Sequence, residues 1–260
     1  MPLVTSALDS AGIATLTLHD EANLNAMSEE MARDFRAATA ALKAEPRLRA
    51  VIITGAGKAF SAGGHLAMLD AKRGLTAEQN RTQMMEFYRS FLDVLGLQVP
   101  LIAALHGAAV GAGLCLACAC DIRIASRDTK LGFTFLKLGL HPGMGGTFFV
   151  PRIVGSSIAT ELLVTGRIIA ADEALRIGLV SKVCEGDSLM SEASWVAKEI
   201  LSCGPLATRQ LIETLRPDPA QLQQALSREA LCQSVNYGSQ EFAEGLAAVK
   251  EKRLPSFAQG

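Results

Sequence analysis

Residues 99–120 are apolar throughout except for His106, and Gly107, Gly111 and Gly113 break the middle of the run. About 20 apolar residues suffice to cross a bilayer as one helix. Pro100 and the glycines argue against that, because each interior glycine costs a helix about 1 kcal/mol relative to alanine. The same residues divide into a buried strand over 101–105, a glycine turn, and a buried helix over about 113–120. Glycines are needed where backbone approaches another group closely or takes positive φ. A helix N-terminus also offers unpaired N–H donors and a positive dipole end. Such a turn can hold an oxygen anion, or it can simply pack a strand closely against a helix. A third possibility is metal ligation by Cys115, Cys118 and Cys120. No second CxxC or HxxxH follows at zinc spacing, so no metal is expected and the six cysteines read as small buried hydrophobes.

The formal charge of −1 over 260 residues gives no electrostatic reason to bind nucleic acid or an anionic membrane. The opening MPLVTSALDS has neither a positive region nor a long apolar core, so a cytoplasmic location is expected.

Alternation over 12–19 predicts a strand. Met27, Met31, Phe35, Ala38 and Leu42 repeat at helical spacing behind Ser28 as N-cap. Residues 49–55 read as a buried strand ending in glycine. A helix begins at Thr76, with Gln79 three residues on in a capping-box pattern, and ends near Gly96. Residues 121–126 form another strand, and beyond Ser156 the pattern is almost wholly helical. Strands with crossovers followed by helices predict an α/β core, over 1–203, with a helical C-terminal region over 204–260. The terminal helices are too short to fold alone, so they pack on the core or on another subunit.

Two glycine turns are comparable: KAFSAGG at 58–64 and GAAVGAG at 107–113. Each follows a core strand and precedes a helix, and two convergent N–H groups would make an oxyanion hole. Neither matches the phosphate-binding GxxxxGK[ST] or GxGxxG patterns.

With these residues, the chain resembles the enoyl-CoA hydratase/isomerase, or crotonase, superfamily. The matching segments are LNAM at 24–27, the two turns, CDIR at 120–123, LGLHPGMGGT at 138–147, residues 163–183 and EKR at 251–253. The resemblance implies a ββα-spiral core, assembly as homotrimers or hexamers through the C-terminal helices, and an acyl-CoA thioester as substrate. Coenzyme A would then be part of the substrate, with no further cofactor. By position, Gly64 and Ala112 would donate the oxyanion-hole N–H groups to a thioester enolate. Ala62 and Gly64 would lie against the CoA moiety. Lys252, on a helix delivered to a neighbouring subunit, would match a CoA-contacting lysine.

The departures bear on the reaction. The family's hydratases carry a glutamate three residues after the second oxyanion position and another twenty residues later. Cys115 and Phe135 stand there in this chain, and neither can act as a general base for water. Ordinary syn hydration is therefore not expected. That leaves an acyl-CoA lyase or isomerase with another proton carrier, or a non-catalytic acyl-CoA binding protein. His141, in the loop after Phe135, is the first replacement acid or base to consider. His65, where the family often has Asp, is the second. His106 reads as a strand-end residue, and Glu86 and Tyr88 as solvated or packed helix residues. Met68, Leu69, Met84, Met85 and Phe87 suggest an apolar acyl pocket, or ordinary core.

Overall fold

A computed structural model describes residues 1–257. Among the described residues there are nine strands: β1 (Val4–Leu8), β2 (Ile13–Leu18), β3 (Ala50–Gly55), β4 (Leu101–Leu105), β5 (Ala108–Val110), β6 (Ile122–Ser126), β7 (Lys130–Gly132), β8 (Ile168–Ala170) and β9 (Lys182–Cys184). They make a six-stranded sheet in the order β1-β2-β3-β4-β6-β9 and a three-stranded sheet β5-β7-β8. The large sheet is parallel from β2 onward, with Ile13 opposite Ala50, Val51 opposite Leu101 and Ile102 opposite Ile122. In that sheet β1 alone runs antiparallel to its neighbour, and in the small sheet β8 runs antiparallel to β7.

The helices are α1 (Glu29–Lys43), α2 (Leu66–Ala71), α3 (Ala77–Leu92), α4 (Gly111–Ala119), α5 (Gly146–Val154), α6 (Ser156–Thr165), α7 (Ala171–Arg176), α8 (Leu189–Leu201), α9 (Pro205–Leu215), α10 (Pro219–Asn236) and α11 (Gln240–Lys250). Both expected N-terminal signals are realised. Ser28 Oγ accepts the Met31 N–H, and Thr76 with Gln79 forms a reciprocal capping box.

The central strands β3 and β4 are buried at every residue. Side chains alternate between faces along a strand, so both faces of a parallel sheet must be covered. Val51, Ile53, Leu101, Ala103 and Leu105 enter the main core. Ala50, Ile52, Ile102 and Ala104 face the other way, against Leu189, Ala193 and Ala197 of α8.

The apolar run 99–120 thus becomes β4, β5 and α4, not a span. No helix among the described residues is long and apolar enough to cross a membrane. The short strands β5, β7, β8 and β9 lie outside the sequence expectation, since three residues carry too little periodicity to register. Helix α11 packs on its own chain, one of the two arrangements expected for the terminal helices. Phe242 and Leu246 are buried, Lys250 Nζ lies 2.7 Å from Asp70 Oδ2, and Gly245 sits so close to Leu138 that a Cβ would come within 2.5 Å of its carbonyl carbon. Of the region predicted over 204–260, residues 258–260 lie outside the described residues.

Candidate functional site

The LNAM motif works first as scaffolding. Leu24 and Asn25 adopt left-handed backbone conformations, φ 51° and 55°. The fully buried Asn25 side chain donates to the carbonyls of Ala56 and Ala59 at 2.8 and 2.7 Å, and accepts the Asp20 N–H at 2.8 Å. Its own carbonyl accepts from Ser61 Oγ at 2.8 Å. The first glycine turn is therefore held at both ends. Ser61 then pairs with the second turn: its N–H donates to Ala108 and its carbonyl accepts the Val110 N–H. The two turns lie flush, since a Cβ on Gly113 would stand 2.5 Å from Ser61 Cβ and one on Gly63 2.9 Å from the Val110 carbonyl oxygen.

This pairing leaves two donors over. Met27 engages the Gly63 carbonyl and the His65 N–H, so the Gly64 N–H between them faces away from that bridge. Ala112 is the second residue of α4, and the first turn of any helix has no internal acceptor for its N–H groups. Neither the Gly64 nor the Ala112 N–H has an acceptor among the described residues. Both residues line one cavity of about 300 Å³. The α4 N-terminus adds a partial positive charge at that head.

The cavity wall is mainly apolar and includes Met68, Leu69, Met84, Phe87 and Phe135, while Met85 lies in a different depression. Tyr88, Thr134, Lys137, Gln233 and Tyr237 bring the polar side chains. Among the described residues no aspartate, glutamate or histidine lines it.

The expected site residues therefore separate. Gly64 and Ala112 come together at the cavity, with Ala62 beside them; the Ala62 N–H is held by the Leu24 carbonyl. His141 is not brought in. It lies in a depression with Val235 and Asn236, its N–H donates to Asn236 Oδ1 at 2.8 Å, and its ring Nδ1 is 2.7 Å from the Pro142 oxygen. His65 heads α2 and lines a third depression, with Lys72 and Glu29. Neither ring lines the cavity headed by Gly64 and Ala112. Lys252 follows α11 in a left-handed conformation, φ 54°, exposed, three residues beyond the cavity-lining Val249. Arg73 pairs with Asp70.

Cys115 is fully buried, and burial, with Cys118 and Glu229 nearby, pushes its thiol well above the usual value. Burial also raises Cys118 and Cys120 to about 12. His106 is shifted the other way, lowered by burial against the opposing pull of the Gly57 backbone and Asp128. No group of three or more His, Cys, Asp or Glu among the described residues is placed to hold a metal.

Sequence reasoning missed Glu229 and Gln233 of α10 and Tyr237 at its C-cap. Glu229 is fully buried. It accepts the Gly145 N–H at 2.8 Å, the Thr147 N–H at 2.8 Å and the Thr147 hydroxyl at 2.6 Å, so it caps α5 from another helix. Burial raises its pKa above the usual 4.5, against the lowering effect of the Thr147 and Gly145 hydrogen bonds. A carboxyl whose folded pKa is raised binds its proton more readily when folded. Its contribution is full below the unfolded pKa and is lost as pH climbs through the folded value. We expect the stability difference between wild type and Glu229→Gln, measured by urea unfolding, to shift against wild type as pH rises from about 4. A pH-independent difference would contradict this.

A two-sheet α/β spiral with a cavity headed by two free backbone N–H groups defines the structural class. A family model for enoyl-CoA hydratase/isomerase matches residues 9–260. A crotonyl-CoA hydratase of Syntrophomonas wolfei subsp. wolfei is 36% identical over 250 residues, covering 94% of each chain. The crystal structure of an enoyl-CoA hydratase from Mycobacterium avium subsp. paratuberculosis K-10 superposes with a TM-score of 0.86 at 27% identity, covering 99% of both chains. One from Bacillus anthracis gives 0.77 at 33% identity, covering 98% of both. The chain belongs to the enoyl-CoA hydratase/isomerase family and has the crotonase fold.

Proposed function

We propose that the protein is an acyl-CoA enzyme that seats the thioester carbonyl oxygen on the Gly64 and Ala112 N–H groups and stabilises an enolate there. The carrying observation is the pair of acceptor-free N–H groups at the head of one apolar cavity. Preorganised donors of this kind stabilise charge as it develops and need no reorganisation when the reaction occurs. Coenzyme A enters as part of the substrate, past Ala62 and Gly64, with Lys252 as the cation near the mouth. No further cofactor is invoked. Exposed Val164, Leu231 and Val235 on α6 and α10 support assembly as a homotrimer or hexamer.

Cys115 and Phe135 stand where the family's hydratases have carboxylates. A buried, protonated thiol and a phenyl ring do not activate water, so the reading is a lyase or isomerase reaction and not ordinary syn hydration. The absence of any carboxylate or imidazole from the cavity lining, among the described residues, favours one second reading: an acyl-CoA binding protein without turnover. Incubating pure protein with enoyl-, 3-hydroxyacyl- and carboxyacyl-CoA thioesters separates the two. Turnover of any of them supports the enzyme. Binding of CoA esters by calorimetry with no turnover establishes the second reading, and no binding at all rejects both.

A further inference from the structure

A second groove, of about 680 Å³, lies where α1, the end of α3, α9 and the start of α10 meet. It shares no lining residue with the cavity headed by Gly64 and Ala112. Helices α3 and α10 form the partition between the two, stitched by Tyr88, whose hydroxyl donates to Gln233 Oε1 at 2.7 Å. The floor of the groove is apolar, and its residues Leu92, Leu97, Ile212, Leu222 and Leu226 are all buried. Backbone oxygens in that floor are already served, since Arg216 donates to the carbonyls of Leu95 and Leu97.

Three exposed arginines stand around that floor, Arg36 from α1, Arg89 from α3 and Arg209 from α9. Among the described residues, none of the three makes an ion pair or a side-chain hydrogen bond. The acids close by are mostly committed elsewhere: Lys43 Nζ lies 2.7 Å from Asp93, and Arg216 Nη2 2.7 Å from Asp121. Glu213 is the one lining carboxylate without a partner among the described residues, so the groove carries a net positive charge. Like charges gathered without counter-ions repel one another, and an anion placed among them removes that repulsion. Guanidinium forks match a planar carboxylate in bidentate geometry. Phosphate sites draw instead on helix N-termini. The one N-terminus in this lining, at Pro219 of α10, is already capped by the Asp218 carboxylate, which accepts the Ala220 N–H at 2.8 Å. The volume is that of a small-ligand site, typically about 300–1,000 Å³.

We propose that this groove binds a fatty carboxylate, with the alkyl chain on the leucine floor and the carboxylate among Arg36, Arg89 and Arg209. The site is separate from the acyl-CoA cavity and does not depend on that reading. Head and chain are needed together: a neutral chain leaves the arginines unpaired, and a small anion leaves the floor wet. Helix α9 is the wall most affected, because Ile212 is its only buried residue. An alkyl chain laid against Ile212 adds packing to a helix otherwise anchored by that side chain and by the Arg216 clamp at its C-cap.

The test is calorimetric titration of the full chain with octanoate and decanoate, against octanol, octyl phosphate and acetate. Decanoate is expected to bind about tenfold tighter than octanoate for its two extra methylenes. Octanol and acetate should each bind about tenfold or more weaker than octanoate. In the Arg36→Gln/Arg89→Gln/Arg209→Gln variant, decanoate affinity should fall about tenfold or more. Hydrogen exchange over Pro205–Leu215 should slow when decanoate is added to wild type and stay unchanged in that variant. Gln223→Trp, which fills the groove from an exposed lining position, is read in its place if the triple variant lacks a cooperative melting transition. Decanoate affinity that survives in the variant, tighter binding of octyl phosphate than of octanoate, or no binding of either carboxylate overturns the proposal. If neither carboxylate binds and Gln223→Trp dissociates an oligomer, the groove belongs to a second copy of the chain. None of these failures touches the acyl-CoA reading, which stands or falls on thioester binding.

Discussion

Replacing the Ala112 residue by lactic acid, so that an ester oxygen stands where the backbone N–H was, should lower kcat for any thioester the protein turns over by about 10²–10³. The methyl side chain is retained and α4 loses no internal hydrogen bond, because a residue at that position has no helical acceptor for its N–H. The melting temperature should therefore hold while rate falls. KM should change far less than kcat, since the donor meets full negative charge only in the enolate. A variant that turns over thioesters at an undiminished rate would show that the two N–H groups only pack the turns together. Proline at 112 is a poorer probe: it would also restrain Gly111, which sits at φ 53° directly before it.

Arg216→Met should cost about 3–5 kcal/mol of stability, measured by urea unfolding at neutral pH. The Arg216 side chain is 13% exposed and joins three parts of the fold. Nε and Nη2 grip Asp121 at 3.1 and 2.7 Å in a bidentate pair. Nη1 donates to the carbonyls of Leu95 and Leu97, and Nη2 to that of Val99. Asp121 Oδ2 in turn accepts the Leu101 N–H at 2.8 Å, at the start of β4. Removing the guanidinium strands a mostly buried carboxylate and three carbonyls together. The loss is a large share of a typical domain stability of about 5–15 kcal/mol. Asp121→Asn should be milder, because it keeps an acceptor for Leu101. An Arg216→Met protein within about 1 kcal/mol of wild type would mean that water replaces all of these bonds.

What could be read in the sequence was local or strongly patterned. Ser28 and Thr76 announce their helices because a cap acts within three residues of itself. The strands at 50–55 and 101–105 are evident as apolar runs, but their second covering layer is not: nothing about Leu189, Ala193 and Ala197 says which sheet face α8 meets. The glycine turns were legible as a pair, and the structure brings Gly64 and Ala112 to one cavity. His141 lies outside the lining of that cavity, and its chain proximity to Phe135 says nothing about which side of a loop a ring takes. Pro142 was the available hint, since the residue before proline is held extended, and here the ring folds onto the Pro142 oxygen. Glu229, Gln233 and Tyr237 were invisible for a different reason. On a helix they are three polar residues at four-residue spacing, and only the docking of α10 on α3 turns that face inward.

The union of Tyr88 with Gln233 spans 145 positions of chain. During synthesis at about 5–20 residues per second, α3 waits roughly 7–30 s before α10 leaves the ribosome. Through that interval Met84, Phe87 and Tyr88 have α1 and α4 beside their helix but not yet α10. The nascent protein therefore passes through a stage in which its apolar cavity is a groove, greasy and unlidded, at the moment it is most crowded by other unfinished chains. Chaperone dependence of this protein should be set less by its sheet, which is complete early apart from β9, than by how soon its last helices arrive.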